Sequence, residues 1–283
     1  SNLVPSWGWQ WMFIIGGLPA LLAIGLRWWL PESPRWLASK GRAEEADRTM
    51  TGIEQRVVAA TGAPLPAPDP RTSIQVAEMA TRWTELFAPQ YLRRTLTVWV
   101  LWFSAYIITY GLYGWLPTLY RQVYKLSVQD ALNYGVMSSV CGLIGATACA
   151  LLIDRTGRKA WFLASFLFGS VPLLALWLIG AKTSVEVLIL ASACAVFISS
   201  IGLGLYLYTA EIYPTRMRAL GTSWSTAWLR IASMIGPTMV GAVLPAFGIG
   251  AVFAVFGGFA IVGAIASLMM IETRRRVLEE ISP

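Results

Sequence analysis

Hydrophobic residues in this chain occur in long, nearly uninterrupted runs, whereas a soluble helix shows them in periodic stripes. A helix that crosses a membrane needs about 20 mostly apolar residues. Segments of that kind lie at residues 9–29, 96–119, 132–153, 161–180, 185–207, 222–244 and 249–271. None shows the alternation over about ten residues that is typical of a transmembrane β-strand. The pattern predicts an all-α membrane protein with seven spans.

The spacing of these runs predicts an uneven organisation. We expect one transmembrane helix at residues 1–30, a central cytoplasmic loop at 31–93, a six-helix bundle at 94–271 and a cytoplasmic tail at 272–283. Within the loop, the charged, alanine-rich stretch 42–58 predicts a surface helix, and the proline-rich stretch 62–70 cannot sustain one. A short amphipathic piece at 83–87 then leads into the next span.

Charge supports this topology. Of the 283 residues, 56% are hydrophobic and only 13% are charged, which is too little charge for the surface of a soluble domain. If the long loop is cytoplasmic, 18 of the 22 basic residues lie on that side. The positive-inside rule therefore predicts a multi-pass protein of the inner (plasma) membrane, in contact with lipid. Nucleic-acid binding would need a basic face on a soluble domain, so we expect no nucleic-acid partner.

Residues suited to cofactor or enzyme chemistry are scarce. The chain contains no histidine, and its three cysteines fall inside predicted spans without a C-x-x-C pair. We therefore expect packing thiols and no metal or cofactor. Motifs such as H-E-x-x-H and G-x-S-x-G are absent from the sequence, which argues against an enzyme. The first residue is Ser1 and not Met, so the N-terminus is interpreted as cut.

Three segments on the predicted cytoplasmic side carry a family resemblance. Residues 31–37 read PESPRWL, residues 154–159 read DRTGRK and residues 211–221 read EIYPTRMRALG. In this order and spacing they resemble the motifs of sugar-porter-like proteins of the major facilitator superfamily. The resemblance covers essentially the whole chain. It implies helices six to twelve of a transporter whose N-terminal bundle is missing from the sequence and would be its partner.

The charged residues of these segments are predicted to form a network. Asp154 and Glu211 end helices, where the dipole disfavours an anion, so they need cationic partners. Nearby candidates are Arg155, Arg158, Arg216 and Arg218. The resemblance implies a gate that links the two bundles at the cytoplasmic face, formed by Glu32, Arg35, Asp154, Arg155, Gly157, Arg158, Glu211 and Arg218. The alternative is a solvated set of charges that only fixes topology, because exposed ion pairs contribute little.

Departures from the family pattern bear on the cargo. True sugar porters carry paired glutamines in helix seven and a Pro-Trp pair in helix ten, and this sequence has neither. The segment at 110–117 looks more like that of metabolite:proton symporters for organic or aromatic acids. The resemblance therefore implies a secondary active transporter, proton-coupled and specific for a small organic acid or related metabolite. The alternatives are a sugar porter and a transporter-like sensor that does not transport.

Aromatic residues on helix seven are candidates for contact with this small-molecule substrate. Trp102, Tyr106, Tyr110 and Tyr113 follow i, i+4, i+8 and i+11 and would share one face. Rings with hydroxyls suit a ring-shaped or amphipathic solute, although the same residues could form an ordinary packed interface. Tyr206, in the segment that replaces the Pro-Trp pair, is a further candidate. Packing is the favoured role for Tyr113.

Arg230 is the other candidate for substrate binding. It lies about eight residues into the span 222–244, where an arginine costs about 2.5–3.5 kcal/mol. A substrate carboxylate could pair with it. Snorkelling to the cytoplasm, or an acid in the missing half, could equally satisfy it. No Asp or Glu lies deep in these spans, so a proton-titrating carboxylate would belong to the helices that precede this chain.

Overall fold

The computed structural model of the chain describes residues 3–65, 82–214 and 216–274. Much of the proline-rich stretch, the motif residue Thr215 and nearly all of the predicted tail lie outside the described residues. The chain forms two compact units, Ser1–Glu78 and Met79–Pro283.

The part of the first unit that the structure describes contains three helices, α1 (Leu3–Trp29), α2 (Pro34–Ser39) and α3 (Ala43–Thr61). Pro34 begins α2, a position where the missing N–H costs nothing. The helix α3 coincides with the charged stretch for which a surface helix was predicted, and none of its residues is buried. Next to its start, Arg42 Nη2 pairs with Glu45 Oε2 at 2.6 Å.

The second unit is built from long apolar helices. Its elements are a 3₁₀ helix (Trp83–Phe87), α4 (Pro89–Ile108), a π-helical turn (Thr109–Tyr113), α5 (Leu116–Gln122), α6 (Val128–Thr156), α7 (Arg158–Ile179), α8 (Ser184–Ile212) and α9 (Arg218–Leu268). Side-chain capping residues mark the starts of two of these helices, α6 and α8. Ser127 Oγ accepts the Asp130 backbone N–H at 3.1 Å, and Thr183 with Glu186 forms a reciprocal capping box.

The helix α9 contains a sharp break. Its 51 residues are helical throughout except at Gly248, which has φ 79° and ψ 175°. Such a positive φ strains any residue with a Cβ, so glycine is the residue that allows the chain to turn here. The two parts of α9, before and after Gly248, are therefore separate helices.

Within the described residues, five segments are long and apolar enough to cross a membrane, and α9 supplies two helices of the six in this bundle. They are Pro89–Gln122, Val128–Thr156, Arg158–Ile179, Ser184–Ile212 and Arg218–Leu268. In the first unit, Phe13–Arg27 is a shorter apolar stretch within α1.

Small residues bring the helices of the second unit close together. The Cβ of an alanine at Gly145 would overlap the backbone of Val196, so α6 and α8 touch almost backbone to backbone. A Cβ at Gly236 would lie 2.8 Å from the Gly111 Cα, so α9 approaches the π-helical turn equally closely. Close approach at small residues is the usual basis of helix association in membranes.

Candidate functional site

Four of the predicted substrate-binding residues form one continuous stack between α4 and α8, here called the aromatic ladder: Tyr110, Tyr106, Trp102 and Tyr206. The Tyr110 and Tyr106 ring centroids lie 6.0 Å apart, and those of Tyr106 and Trp102 lie 5.3 Å apart at an angle of 14°. Tyr206 meets Trp102 edge to face at 4.7 Å. Periodicity grouped the first three residues, and the fold adds Tyr206 from another helix.

The members of the aromatic ladder are not equally accessible. Trp102 is completely buried, and its Nε1 donates to Thr209 Oγ1 at 3.0 Å. It therefore supports the neighbouring rings and offers no surface of its own in this conformation. Tyr110 and Tyr206 are exposed at 39% and 48%, and Tyr106 is partly buried with its hydroxyl 3.5 Å from the Gly202 carbonyl oxygen. The surface available to a solute is that of the three tyrosines.

Tyr113 does not belong to the aromatic ladder. The regular helix that the i+11 spacing requires ends at Ile108, where α4 gives way to the π-helical turn. The Tyr113 hydroxyl donates to the Ala191 carbonyl of α8 at 3.3 Å. The residue thus makes the packing contact that was favoured for it, and the single face expected for all four residues remains a prediction at this position.

Arg230 is exposed on the part of α9 before Gly248. Its guanidinium forms no hydrogen bond or ion pair with any residue in the described part of the chain. This part of α9 belongs to the segment Arg218–Leu268, which is long and apolar enough to cross a membrane. A lone cation in such a helix usually faces a cavity or a partner.

Arg158 is the centre of the charge network. It is 9% exposed, and its Nη2 and Nε donate to the two carboxylate oxygens of Glu211 at 2.7 Å and 3.1 Å. Its Nη1 also pairs with Asp154 Oδ1 at 2.8 Å. Thr273 Oγ1 donates to Glu211 as well. This bidentate geometry ties the start of α7 to the end of α8.

Glu272 completes the network from the end of the last helix. Its carboxylate accepts the backbone N–H groups of Arg158 at 3.0 Å and Lys159 at 3.1 Å, which are unpaired donors at the start of α7. Gly157, with φ 94°, makes the approach possible, because a Cβ there would lie 2.6 Å from Glu272 Oε2.

The remaining cations of the motif segments differ in their surroundings. Arg155 is exposed and pairs with none of the described acids. Arg216 pairs with Glu85 of the 3₁₀ helix, not with Glu211. The backbone N–H of Arg82 and then Arg216 hold the pKa of the Glu85 carboxyl below its usual range. Of the four arginines considered as partners for Asp154 and Glu211, the structure pairs only Arg158 with them.

Arg218 stands apart from the charge network. Its Nε is buried, and no acceptor among the described residues lies within hydrogen-bonding distance of it. The residue lines an open cleft of about 540 Å³ between α8 and α9, together with Tyr206 and three hydroxyl residues of α9. The cleft therefore places the cationic group of Arg218 near Tyr206, the last residue of the aromatic ladder.

Glu32 and Arg35 belong to the first unit. Arg35 lies in α2, and Glu32 is exposed just before it. Their predicted role in a gate with residues of the second unit remains a prediction.

Sequence reasoning left Glu272, Thr273 and Glu85 out of the network. A signal for the first two was present, since an acid, a hydroxyl residue and an arginine follow both the first and the last span. That repeat is typical of a duplicated helical bundle, but it does not indicate which residues Glu272 and Thr273 contact. Glu85 carried no comparable signal, because its partner lies 131 residues away.

Comparison with known proteins agrees with this architecture. The model of the family described as "Sugar (and other) transporter" matches residues 1–283. The niacin transporter NiaP of Acinetobacter baylyi is 31% identical over 285 residues, which cover 99% of this chain and 62% of that protein. The synaptic vesicle 2-related protein of Xenopus laevis is 31% identical over 301 residues, with coverages of 99% and 53%.

A gallate transporter of Pseudomonas putida is 28% identical over 269 residues, which cover 94% of this chain and 58% of that protein. The chain thus spans between 53% and 62% of the length of these three curated relatives. Among solved structures, the proton:xylose symporter XylE bound to 6-bromo-6-deoxy-D-glucose superposes with a TM-score of 0.70 at 20% identity. That match covers 99% of this chain and 60% of XylE and shows the fold.

The helical bundle, the motif network and a family match over the full length agree with one another. The family and the relatives that name an activity are transporters and not enzymes. The chain belongs to the sugar (and other) transporter family, shares its fold with the symporter XylE and is a multi-pass membrane protein.

Proposed function

We propose that the protein carrying this chain is a secondary active transporter that moves a small organic acid across the plasma membrane in symport with protons. Transport would proceed by alternating access, with the cargo bound between two six-helix bundles near the centre of the bilayer. This chain would supply one wall of that cavity, and an N-terminal bundle would supply the other.

The observation that carries the proposal is the isolation of Arg230. The residue lies about 18 Å along the helix from the start of α9, if each residue rises about 1.5 Å. Its guanidinium is exposed and unpaired with any acid among the described residues. A carboxylate gives an arginine a bidentate partner, whereas a neutral sugar does not.

The exposed tyrosines of the aromatic ladder suit the remainder of such a cargo. Tyr106 and Tyr110 present stacked rings with hydroxyls, and Tyr206 adds an exposed ring with a third hydroxyl, which favours a flat, ring-shaped solute. Two relatives are named for niacin and gallate, and both compounds are aromatic carboxylic acids. Their names and the site's chemistry favour an aromatic acid over a hexose.

Proton coupling is proposed to depend on a carboxylate outside this chain. In the membrane helices of the second unit, the described acidic residues occur in the first or last turns: Asp130, Asp154, Glu186 and Glu211. Asp154 and Glu211 are engaged by Arg158. None of them lies at the depth where the cargo would bind.

Counterflow in liposomes tests transport directly. The full-length protein should accumulate labelled nicotinate above empty liposomes, and an inward proton gradient should stimulate uptake. The absence of counterflow would contradict transport and favour a sensor. Uptake that ignores the proton gradient would contradict proton coupling alone.

Variants of Arg230 test the site. Arg230→Gln should raise the half-saturation concentration for nicotinate by about tenfold or more, the cost of one lost charge-assisted contact. Arg121→Gln is the matched control, since Arg121 is exposed at the end of α5. Unchanged affinity in Arg230→Gln would remove this residue from the substrate site.

A further inference from the structure

We infer that the cleft between the end of α8 and the start of α9 is a second carboxylate-binding site, through which an aromatic acid passes at the cytoplasmic end of the pathway. The inference rests on the proposed function, because it takes the same class of cargo. The residues that would bind the cargo are Tyr206, Arg218, Thr222 and Ser223.

Arg218 provides the charge. Its Nε is withdrawn from solvent without an acceptor, and no described acid pairs with its guanidinium. Desolvating a charged group without a partner is costly. By contrast, Arg158 on the neighbouring helix α7 makes three salt-bridge and hydrogen-bond contacts to carboxylates of the same bundle. Among the described residues no acid pairs with Arg218, and the cleft beside it has room for an anion.

Hydroxyl groups provide further donors. Thr226 also lines the cleft, but its hydroxyl donates to the Ser223 carbonyl at 2.9 Å. The hydroxyls of Thr222 and Ser223 make no hydrogen bond with any residue in the described part of the chain. A serine or threonine in a helix commonly donates to the preceding turn, so these two are available to donate elsewhere. They lie in the second turn of α9 and line the cleft together with Arg218.

The aromatic ladder supplies the surface for the ring. Tyr206 lines the cleft and also packs edge to face on Trp102, the centre of the ladder. Tyr106 on α4 is therefore connected to the cleft through Trp102 and Tyr206. On α9, Ser223, Thr226 and Arg230 follow i, i+3 and i+7, so the cleft and the proposed central site share one helix face. Ser223 and Arg230 are about 10 Å apart along that face.

Protection from alkylation tests this site without requiring transport. Ser223→Cys, exposed in the cleft, would be placed in the full-length protein with all other cysteines replaced by serine, and its reaction with N-ethylmaleimide followed. Benzoate at ten times its Kd should slow the reaction about tenfold, because only the free site reacts. Benzyl alcohol, which lacks the charge, should not. Ala246→Cys, exposed far along α9, is the control and should show no protection.

Three variants assign the protection to the cleft. Arg218→Gln should raise the benzoate concentration needed for half-protection by about tenfold or more. Thr222→Val, a milder change that keeps the charge, should raise it about threefold. Arg230→Gln should leave it unchanged. The inference is overturned if benzoate does not protect Ser223→Cys, whether or not inorganic phosphate does. It is also overturned if Arg230→Gln abolishes protection while Arg218→Gln leaves it intact.

The two proposals can fail separately. Counterflow of nicotinate without benzoate protection of Ser223→Cys would retain transport and reject the second site. Protection without counterflow would retain the binding site and reject transport.

Discussion

Arg158 and Arg230 are both arginines of the apolar bundle, yet the protein treats them in opposite ways. Arg158 is almost completely buried and is held by two acids from two elements. Arg230 is exposed on its helix and has no partner among the described residues. A buried charge is tolerated when it is paired and hydrogen-bonded, and its pairing then fixes the elements that supply the partners. A charge left open is available to a ligand.

The contrast separates two kinds of function within one bundle. The network of Arg158 joins the ends of α6, α7, α8 and α9, which suits a structural joint. We expect substitution there to change stability. Substitution of Arg230 should change affinity and leave stability nearly intact.

The largest expected effect follows from removing one member of the buried pair. Arg158→Ala would leave Glu211 half-buried without its bidentate partner, which typically costs about 3–5 kcal/mol. The midpoint of thermal unfolding in detergent, followed by a thiol dye that reports exposure of Cys149 and Cys194, should fall markedly. Arg155→Ala and Arg230→Gln serve as controls and should leave the midpoint nearly unchanged.

A double variant sharpens the same comparison. Replacing both partners, as in Arg158→Met with Glu211→Leu, removes the unpaired charge and should recover much of the lost stability. An equally low midpoint in the double variant would show that the pair itself, and not the orphaned charge, accounts for the loss.

A smaller effect is expected at Gly157. Gly157→Ala would place a Cβ 2.6 Å from Glu272 Oε2 at φ 94° and ψ 154°, a conformation adopted almost only by glycine that costs other residues about 1–3 kcal/mol. The unfolding midpoint should fall, though less than in Arg158→Ala. Gly258→Ala is the matched control, because Gly258 is helical with no atom within 4 Å of its would-be Cβ. A neutral or stabilising Gly157→Ala would contradict the close contact.

The smallest effect concerns the exposed pair of Glu85 and Arg216. The pKa of Glu85 is lowered in the folded state, so its stabilising contribution is present above the usual carboxyl pKa and is lost as pH falls through the folded value. Glu85→Gln should therefore lower the unfolding midpoint slightly at pH 7. The difference from the unsubstituted protein should vanish in acid. A difference that grows in acid would contradict this sign.

Most of the bundle could be predicted from hydropathy, because a span of about 20 apolar residues has few other uses. The runs at residues 161–180 and 185–207 fall within α7 and α8 except for Gly180, and the only helix break in α9 falls at Gly248, between the two predicted last spans. The π-helical turn at Thr109–Tyr113 could not be predicted in this way. In this turn Gly111 lies against Gly236 and Phe256 of α9, which are distant in the sequence.

The candidate site was less predictable, since it depends on which helices become neighbours. Three members of the aromatic ladder share one helix face and could be grouped by spacing alone. The contact of Tyr206 with Trp102 joins two helices, and so does the choice of Arg158 for Glu211 among several nearby arginines. The sequence shows which arginines have the right charge to pair with Glu211, but only the packing of the helices determines which of them does.

The turn at Gly248 also bears on how the protein enters the bilayer. With a single residue between them, the two last helices leave almost no hydrophilic segment for the insertion machinery to pass through the lipid. Both would enter together as one hairpin. Neither helix could then insert in an orientation independent of the other. The arginines at the start of the first helix and after the end of the second would therefore lie on the same side of the membrane from the time of insertion.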